Sequence, residues 1–292
     1  GVSGQIRVKK ANFTAQMNSL KQLRLFVLVL ATMLVMSTQA QDNYSSGGAR
    51  YRGLNGTGLA LGSHWSSMQN QAGLVDVQGL EAGVFAFNRF ALSVLTTIGF
   101  SAALPRKIQV YGVSFESYGF SGYRRSQLGV AFAMKLSENF DAGVQLAYHQ
   151  LQLAGAYGST GNVTVALGFR YKLMDDLVIA GHIYNPTRSK LADFNSERIP
   201  TLIRTGFSWN LASRVKTNVE VQKSIDDPLG VNVGFEYKAL DQLYLRAGAG
   251  TKPDLFSFGA GVDTKSLRVD VAASYHQVLG VLPHISLTYH AK

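Results

Sequence analysis

LGVNVGFEYKALDQLYLRAGA, residues Leu229–Ala249, decides the fold class. Leu229, Val231, Val233, Phe235 and Tyr237 share one face of an extended strand, while Gly230, Asn232, Gly234, Glu236 and Lys238 share the other. After a turn around Ala239–Asp241 the alternation resumes, with Leu243, Leu245, Ala247 and Ala249 opposite Gln242, Tyr244, Arg246 and Gly248. A two-residue period identifies a β-hairpin rather than a helix. The polar face mixes glycine with charge, as a crowded wet interior would, and the apolar face is continuous enough for lipid.

The same unit recurs along the chain. GFSAALPRKIQVYG (Gly99–Gly112), GVAFAMKLSENFDAG (Gly129–Gly143), GFRYKLMDDLVIAG (Gly168–Gly181) and GFSWNLASRVKTNV (Gly206–Val219) share its tight-turn pattern, and GAGVDTKSLRVDVA (Gly259–Ala272) is a looser copy. Repetition of one hairpin unit is a stronger signal than any single alternation. Counting outward from these hairpins predicts about fourteen strands, from 80–88, 91–103, 107–116 and 126–136 through to 267–276 and 283–290. The repeated turns all fall at one end of the sheet. The opposite end is expected to carry longer loops at 116–125, 150–161, 185–200, 223–228 and 277–282, with short ones at 89–90 and 250–254. Strands of roughly 9–11 residues, segregated turns and an even strand count describe a transmembrane antiparallel β-barrel, all-β in class. Tyr111, Tyr148, Tyr171, Tyr184, Trp209, Tyr237 and Tyr289 lie near strand ends, where rings suit lipid headgroups.

Composition supports this reading by exclusion. The 292 residues include no cysteine, 30 glycines, 6 prolines and 11% aromatics, which rules out a disulfide scaffold and thiolate metal sites. Residues 1–40 stand apart as upstream sequence and a cleaved signal peptide. Lys21 and Arg24 precede an apolar run from Leu25 to Met36, and Ser37–Ala40 supply a small-residue cleavage site before Gln41. That run is too short to cross roughly 30 Å of hydrocarbon as a helix. Five of the 28 Lys and Arg precede Gln41 and none of the 18 acidic residues does, which leaves the mature chain at +5. Those charges are spread singly along strands, so no nucleic-acid surface is implied. Residues 41–79, rich in Gly, Ser, Asn and Gln, are predicted to form an N-terminal plug-like segment, mostly irregular, with a helical turn around His64–Gln71. Residues 80–292 form the barrel.

Within that segment, GARYRGLNGTGLALGSHWSSMQNQAGLVDVQGLEAG (Gly48–Gly83) resembles the opening of the outer-membrane long-chain fatty-acid transporter-like barrel family. It is closer to the type IX secretion-associated relatives of Bacteroidetes-type bacteria. Ala49 and Arg50, then Gly53, Asn55 and Gly56, match the first part of the family pattern. Asn70, Ala72, Gly73 and Leu74 match an Asn-Pro-Ala-Gly-Leu motif in which Gln71 replaces the proline. The resemblance implies a fourteen-stranded barrel in the outer membrane of a Gram-negative cell; the even strand count puts both termini at the short-turn end, expected in the periplasm, and no cofactor is expected. The resemblance also implies passive transport of small hydrophobic molecules, with a plug lining a pocket and a strand kink as sideways exit. Asn55, Trp65, Met68, Asn70, Gln71, Ala72 and Gly73 are the plug and pocket candidates. A second reading is a non-transporting accessory or anchoring barrel of a type IX secretion or surface assembly, with outer-membrane lipid and a secretion-system or surface-protein partner in place of a solute.

The inward positions carry Lys135, Asp141, Arg170, Arg204, Lys216, Glu220, Glu236, Arg246, Arg268 and Asp270. Buried charges need partners, so these read first as ion pairs across the lumen and to the plug, and second as a polar solute path. Leu255 is an apolar inward position. The six histidines show no metal-ligand spacing, no nucleophile motif is visible, and the paired glycines lack the helix that a phosphate loop needs. No catalytic, metal or cofactor site is expected, and the chain does not read as an enzyme.

Overall fold

The computed structural model describes residues 47–88, 96–155, 158–189, 199–225, 228–251, 254–277 and 280–291. The predicted signal peptide lies outside the described residues. Fourteen strands follow one another: β1 (Glu81–Asn88), β2 (Thr96–Arg106), β3 (Gln109–Phe120), β4 (Tyr123–Lys135), β5 (Phe140–Leu153), β6 (Ser159–Met174) and β7 (Leu177–Tyr184), then β8 (Leu202–Ala212), β9 (Val215–Ser224), β10 (Gly230–Lys238), β11 (Leu243–Gly250), β12 (Asp254–Asp263), β13 (Leu267–His276) and β14 (Gly280–His290). Each pairs antiparallel with its sequence neighbours, and β14 returns to β1 to close a barrel. Closure leaves no free sheet edge.

The hairpin Leu229–Ala249 behaves as its alternation requires. Gly230, Asn232, Gly234 and Glu236 are buried on the inner face, and Phe235 and Tyr237 are exposed on the outer one. Arg246 points inward and Leu245 outward on β11, opposite Glu236 and Tyr237 in the ladder. The same split runs round the wall. Val84, Ile98, Phe100, Val130, Leu146, Phe258 and Ile285 are exposed outside, while Ser101, Ser114, Gln145, Thr164, Ser257 and Ser286 are buried inside. An apolar outer belt around a polar interior is the pattern of a barrel built for lipid.

The six short turns share one end, as expected. The other end differs from expectation, because the strands run further than their hydrophobic alternation does. The ladder of β3 with β4 continues to Phe120↔Tyr123, so the loop predicted at 116–125 is a tight turn at Ser121 and Gly122. β5 and β6 likewise stay paired to Gln152↔Ser159 within the predicted loop at 150–161. β9 and β14 also extend into the loops predicted at 223–228 and 277–282, leaving only short links there. Residues 89–95, where a short turn at 89–90 and the start of the next strand are expected, lie outside the described residues, and the connection 185–201 falls largely outside them. Polar residues such as Gln150, Gln152 and Ser126 hide a ladder that extends beyond the apolar belt, since backbone pairing does not need an apolar side chain. Among the described residues the register breaks fall at Lys172/Met174, Asn210/Ala212 and Asp254/Phe256, near strand ends.

Inside the barrel the N-terminal segment is more regular than predicted. It forms α1 (Gly48–Gly53) and two 3-10 helices, η1 (His64–Met68) and η2 (Gln71–Asp76), the first of these helices having given no sequence signal. Ser63 caps η1 in a reciprocal capping box with Ser66, and the Asn70 side chain accepts from the Ala72 amide at the start of η2. Most residues from Gly47 to Leu74 are buried, although the segment is rich in polar groups. A buried irregular backbone persists only if its polar groups find partners, and the inner wall supplies them.

Candidate functional site

Bonds to the wall are made nearly all the way round the segment. At its start, the Ala49 amide donates to Ser286 Oγ on β14 at 2.9 Å, and Ser257 Oγ on β12 donates to the Gly53 carbonyl at 3.1 Å. Asn55, which adopts the left-handed conformation with φ of 55°, donates to Asn232 on β10 at 3.2 Å. Gly58 and Leu59 amides both reach Glu220 Oε2 on β9 at 3.3 Å. The Ser67 carbonyl accepts from Gln145 Nε2 on β5 at 2.6 Å, and Asn70 donates to the Phe169 carbonyl on β6 at 3.1 Å. Where the segment's backbone runs closest, the wall carries glycine. A Cβ on Gly248 would stand 2.7 Å from the Leu54 carbonyl carbon, and one on Gly143 would stand 2.5 Å from that of Gln71.

Charge is concentrated in three places. Glu236 accepts from Arg50 of the segment, Nε at 2.9 Å and Nη2 at 2.7 Å, and from Arg246 Nε at 2.7 Å. Arg246 continues to Asp270 at 2.8 Å, Asp270 to Arg268 at 3.0 Å, and Arg268 to Asp263 at 3.2 Å. Three guanidiniums and three carboxylates thus alternate along one network. Arg170 on β6 grips Asp76 at the end of η2 with two bonds, at 2.6 and 2.7 Å, and also holds Asp141 at 2.9 Å. Arg204 pairs with the fully buried Glu220 and donates to Gln69 Oε1 at 2.9 Å. Charged hydrogen bonds of this geometry orient as well as neutralise.

An apolar patch lies between the charged sites. Tyr51, Leu54, Leu61, Trp65 and Met68 of the segment pack with Phe85 and Phe87 of β1. Trp65 meets Phe85 edge-on at 5.5 Å, Phe85 and Phe87 stack at 6.4 Å, and Phe87 meets the His284 ring at 5.0 Å. Arg52 stands over Phe87 at 5.5 Å. Next to Trp65, His64 is fully buried, with Nε2 3.1 Å from Thr288 Oγ1, and burial pushes its imidazole down to about 3. Burial pushes the Tyr51 phenol up, and its hydroxyl shares a 2.9 Å hydrogen bond with Ser63.

Two further regions flank the segment. At the end with the short turns, a polar chamber of about 360 Å³ is lined by Arg50, Asp76, Asp141, Arg170, Ser208 and Lys216 among others. At the opposite mouth Leu151, Ala166, Tyr184, Ile199 and Leu202 form an apolar cluster, with Tyr123 and Leu153 against it. His149 Nε2 sits 2.9 Å from both the Tyr184 hydroxyl and Thr164 Oγ1, and Asn185 Nδ2 fixes the Ile199 carbonyl at 2.7 Å. Among the described residues no group of three or more His, Asp or Glu is placed to hold a metal ion.

No family model matches the chain, and no curated protein matches it. Solved structures do. The monoaromatic hydrocarbon channel CymD superposes with a TM-score of 0.64 at 14% identity, over 85% of this chain and 98% of that one. The Ralstonia pickettii toluene transporter TbuX gives 0.62 at 12% identity, over 85% and 98%, and a Pseudomonas aeruginosa FadL homologue gives 0.61 at 12%, over 85% and 99%. The chain has the barrel fold of these proteins. At such identities the likeness is one of fold, and the site has to be argued from this chain's own residues.

Within this fold the candidates named from sequence sort themselves by position. Asn55, Trp65, Met68, Asn70, Gln71, Ala72 and Gly73 are all buried, but only Trp65 and Met68 join the aromatic patch. Asn55, Asn70 and Gln71 bind wall or segment by hydrogen bonds, Ala72 packs at the start of η2, and a Cβ on Gly73 would collide with Ser66 and the Leu61 carbonyl. Arg170, Arg204, Glu236, Arg246, Arg268 and Asp270 all point inward and are paired. Lys135 is exposed at the rim, and Leu255 falls half-buried at the register break of β12. Phe85 and Phe87 were missed as site residues because an inward phenylalanine carries the same hydrophobic signal as one facing lipid. Arg50, Gln69, Gln145 and Ser101 were missed as wall contacts, since their partners lie 34 or more residues away in sequence.

Proposed function

We propose that this chain is an outer-membrane barrel through which small hydrophobic molecules pass passively. Residues 1–40 act as leader and signal peptide, 41–79 as a plug and 80–292 as the barrel, with both termini on the periplasmic side. The observation that carries the reading is the aromatic patch of Trp65, Phe85 and Phe87 with Met68, the one cluster of aromatic rings between plug and wall among the described residues. Charged and amide groups hold the plug on most sides, so this patch is where an apolar molecule gains most by entering. The apolar cluster at the opposite mouth gives it a first foothold.

The chain has two tryptophans, Trp65 in the lumen and Trp209 on the outer face. In Trp209→Phe protein held in lipid nanodiscs, a brominated benzene should quench Trp65 saturably. Quenching that rises only in proportion to the quencher dissolved in the lipid would overturn the reading.

The density of plug-to-wall bonds supports a second reading, a closed barrel that anchors or assists a secretion or surface assembly. It predicts no saturable quenching, together with recovery of a specific partner by affinity capture from native membranes.

A further inference from the structure

We infer that the polar chamber at the short-turn end holds a site for a short carboxylate, formed by Lys216 and Asn218 of β9 with Ser208 of β8. The inference goes beyond the proposed passage of apolar molecules and does not depend on it. It starts from a charge without a partner. Of the other cations that line the chamber, Arg50 is held by Glu236, Arg170 by Asp76 and Asp141, and Lys172 by Asp175, while Lys135 is exposed at the rim. Lys216 is half-buried and lines the chamber, yet its ammonium makes no ion pair or hydrogen bond among the described residues. The charged groups that act on it, Arg50 and Arg170 against Glu236 and Asp76, cancel two by two. One positive charge is left over in a confined space, where a charge without a counterion is costly.

Uncharged donors stand beside it. Asn218 lies two residues along β9 on the same inward face and is 3% exposed, and neither the nitrogen nor the oxygen of its side chain has a hydrogen-bond partner. Native proteins seldom leave a buried amide with both ends unbonded. In the ladder Asn218 stands opposite Ser208, whose hydroxyl is likewise without a bond and whose side chain lines the chamber. An ammonium, an amide N–H2 and a hydroxyl on two adjacent strands form a donor set that a carboxylate can accept from, and its single negative charge matches the single positive one.

The plug leaves room on this side. The three atoms nearest to a Cβ placed on Gly143 or on Gly248 all belong to the plug, which presses on the wall at both positions. At Gly206, two residues before Ser208 on the same face of β8, the three nearest atoms all belong to β9, and Gly206 itself is only half-buried. Segment and wall stand apart along β8 and β9, next to the chamber of about 360 Å³. Apart from Ala60, Leu61 and Val178 the lining is polar, which suits a short carbon skeleton better than a long hydrocarbon tail.

Fluorine NMR of fluoroacetate reads occupancy directly. With the protein in a non-ionic detergent and a chloride-free buffer, the fluoroacetate line should broaden and the broadening should saturate. Lys216→Gln should weaken binding by about tenfold or more, the scale of one lost charged hydrogen bond, while Lys216→Arg stays within about threefold. Asn218→Asp gives Lys216 a carboxylate from its own strand and should also weaken binding by about tenfold or more. Lys265→Gln, the same charge change on the β12–β13 turn, should leave binding unchanged. Broadening that does not saturate overturns the inference, and so does either Lys216→Gln or Asn218→Asp protein that binds as tightly as the unmodified one. An equal loss in Lys265→Gln protein also overturns it, because net charge alone would then gather the anion. Quenching of Trp65 by an apolar solute should be the same with Lys216→Gln, so this site and the proposed passage fail separately.

Discussion

Replacing Glu236 with alanine should release the start of the plug without unfolding the barrel. Glu236 is the only carboxylate that Arg50 touches among the described residues, through bonds of 2.9 and 2.7 Å, and it is also one of two carboxylates on Arg246. Removing it leaves three guanidiniums against two carboxylates in a region where Arg246 has no exposed side-chain surface. A unit charge pair about 4 Å apart at an effective dielectric near 20 interacts by roughly 4 kcal/mol, and breaking a buried pair costs about 3–5 kcal/mol. Taking ~4 kcal/mol, with 1.4 kcal/mol per decade, protection of the plug should fall by about two to three orders of magnitude.

Hydrogen exchange measures this at Leu54 and Gly56, whose amides both close on the Tyr51 carbonyl. Peptides from β4 and β5 serve as the internal reference. Arg50→Ala should cost less, roughly 1–2 kcal/mol, because Glu236 keeps Arg246 as its partner. If both variants lose protection equally, or if β4 and β5 lose it with the plug, the network braces the wall rather than latching the plug, and the reasoning fails.

Three more outcomes are expected. Trp65→Ala removes a fully packed ring, so plug docking should weaken by about 3–5 kcal/mol in chemical denaturation, more than Met68→Ala at the edge of the patch. Gly248→Ala places a methyl against the Leu54 backbone and should lower docking stability by roughly 1–3 kcal/mol, whereas alanine at Gly155, which has nothing within 4 Å, leaves docking unchanged, as exchange at Leu54 will report. His64 is neutral when docked, with its value near 3 against an ordinary 6.5. Docking should therefore be strongest above pH 6.5 and weaken as pH falls toward 3, by on the order of 2 kcal/mol at pH 5, because only the released segment takes up the proton. Plug exchange at pH 7 and pH 5 checks this, and His64→Gln should flatten the difference.

Residues differ in how much of this was legible from sequence. Leu229–Ala249 shows its inner and outer faces because glycine, asparagine and charge contrast with aliphatic residues at every step, and the observed ladder repeats that contrast. Arg170 and Glu236 were legible as inward charges but not their partners, since Asp76 and Arg50 come from a segment with no periodicity. The extension of β3 through β6 was read as loop because Ser126, Gln150 and Gln152 take the outward positions that are apolar elsewhere, while Leu151 turns inward. Phe85 and Phe87 were invisible for the opposite reason: they are apolar on a face where apolar residues were not expected.

Uptake by whole cells tests the central claim most directly, because a lipopolysaccharide-bearing outer membrane is the barrier that such a channel would bypass. Cells lacking their own hydrophobic-solute channel would carry the barrel, and entry of a labelled monoaromatic hydrocarbon would be measured beside that of a sugar of similar size. The account predicts several-fold faster entry of the hydrocarbon with the sugar unchanged. Equal entry of the hydrocarbon with and without the barrel, or faster entry of both solutes, would contradict it.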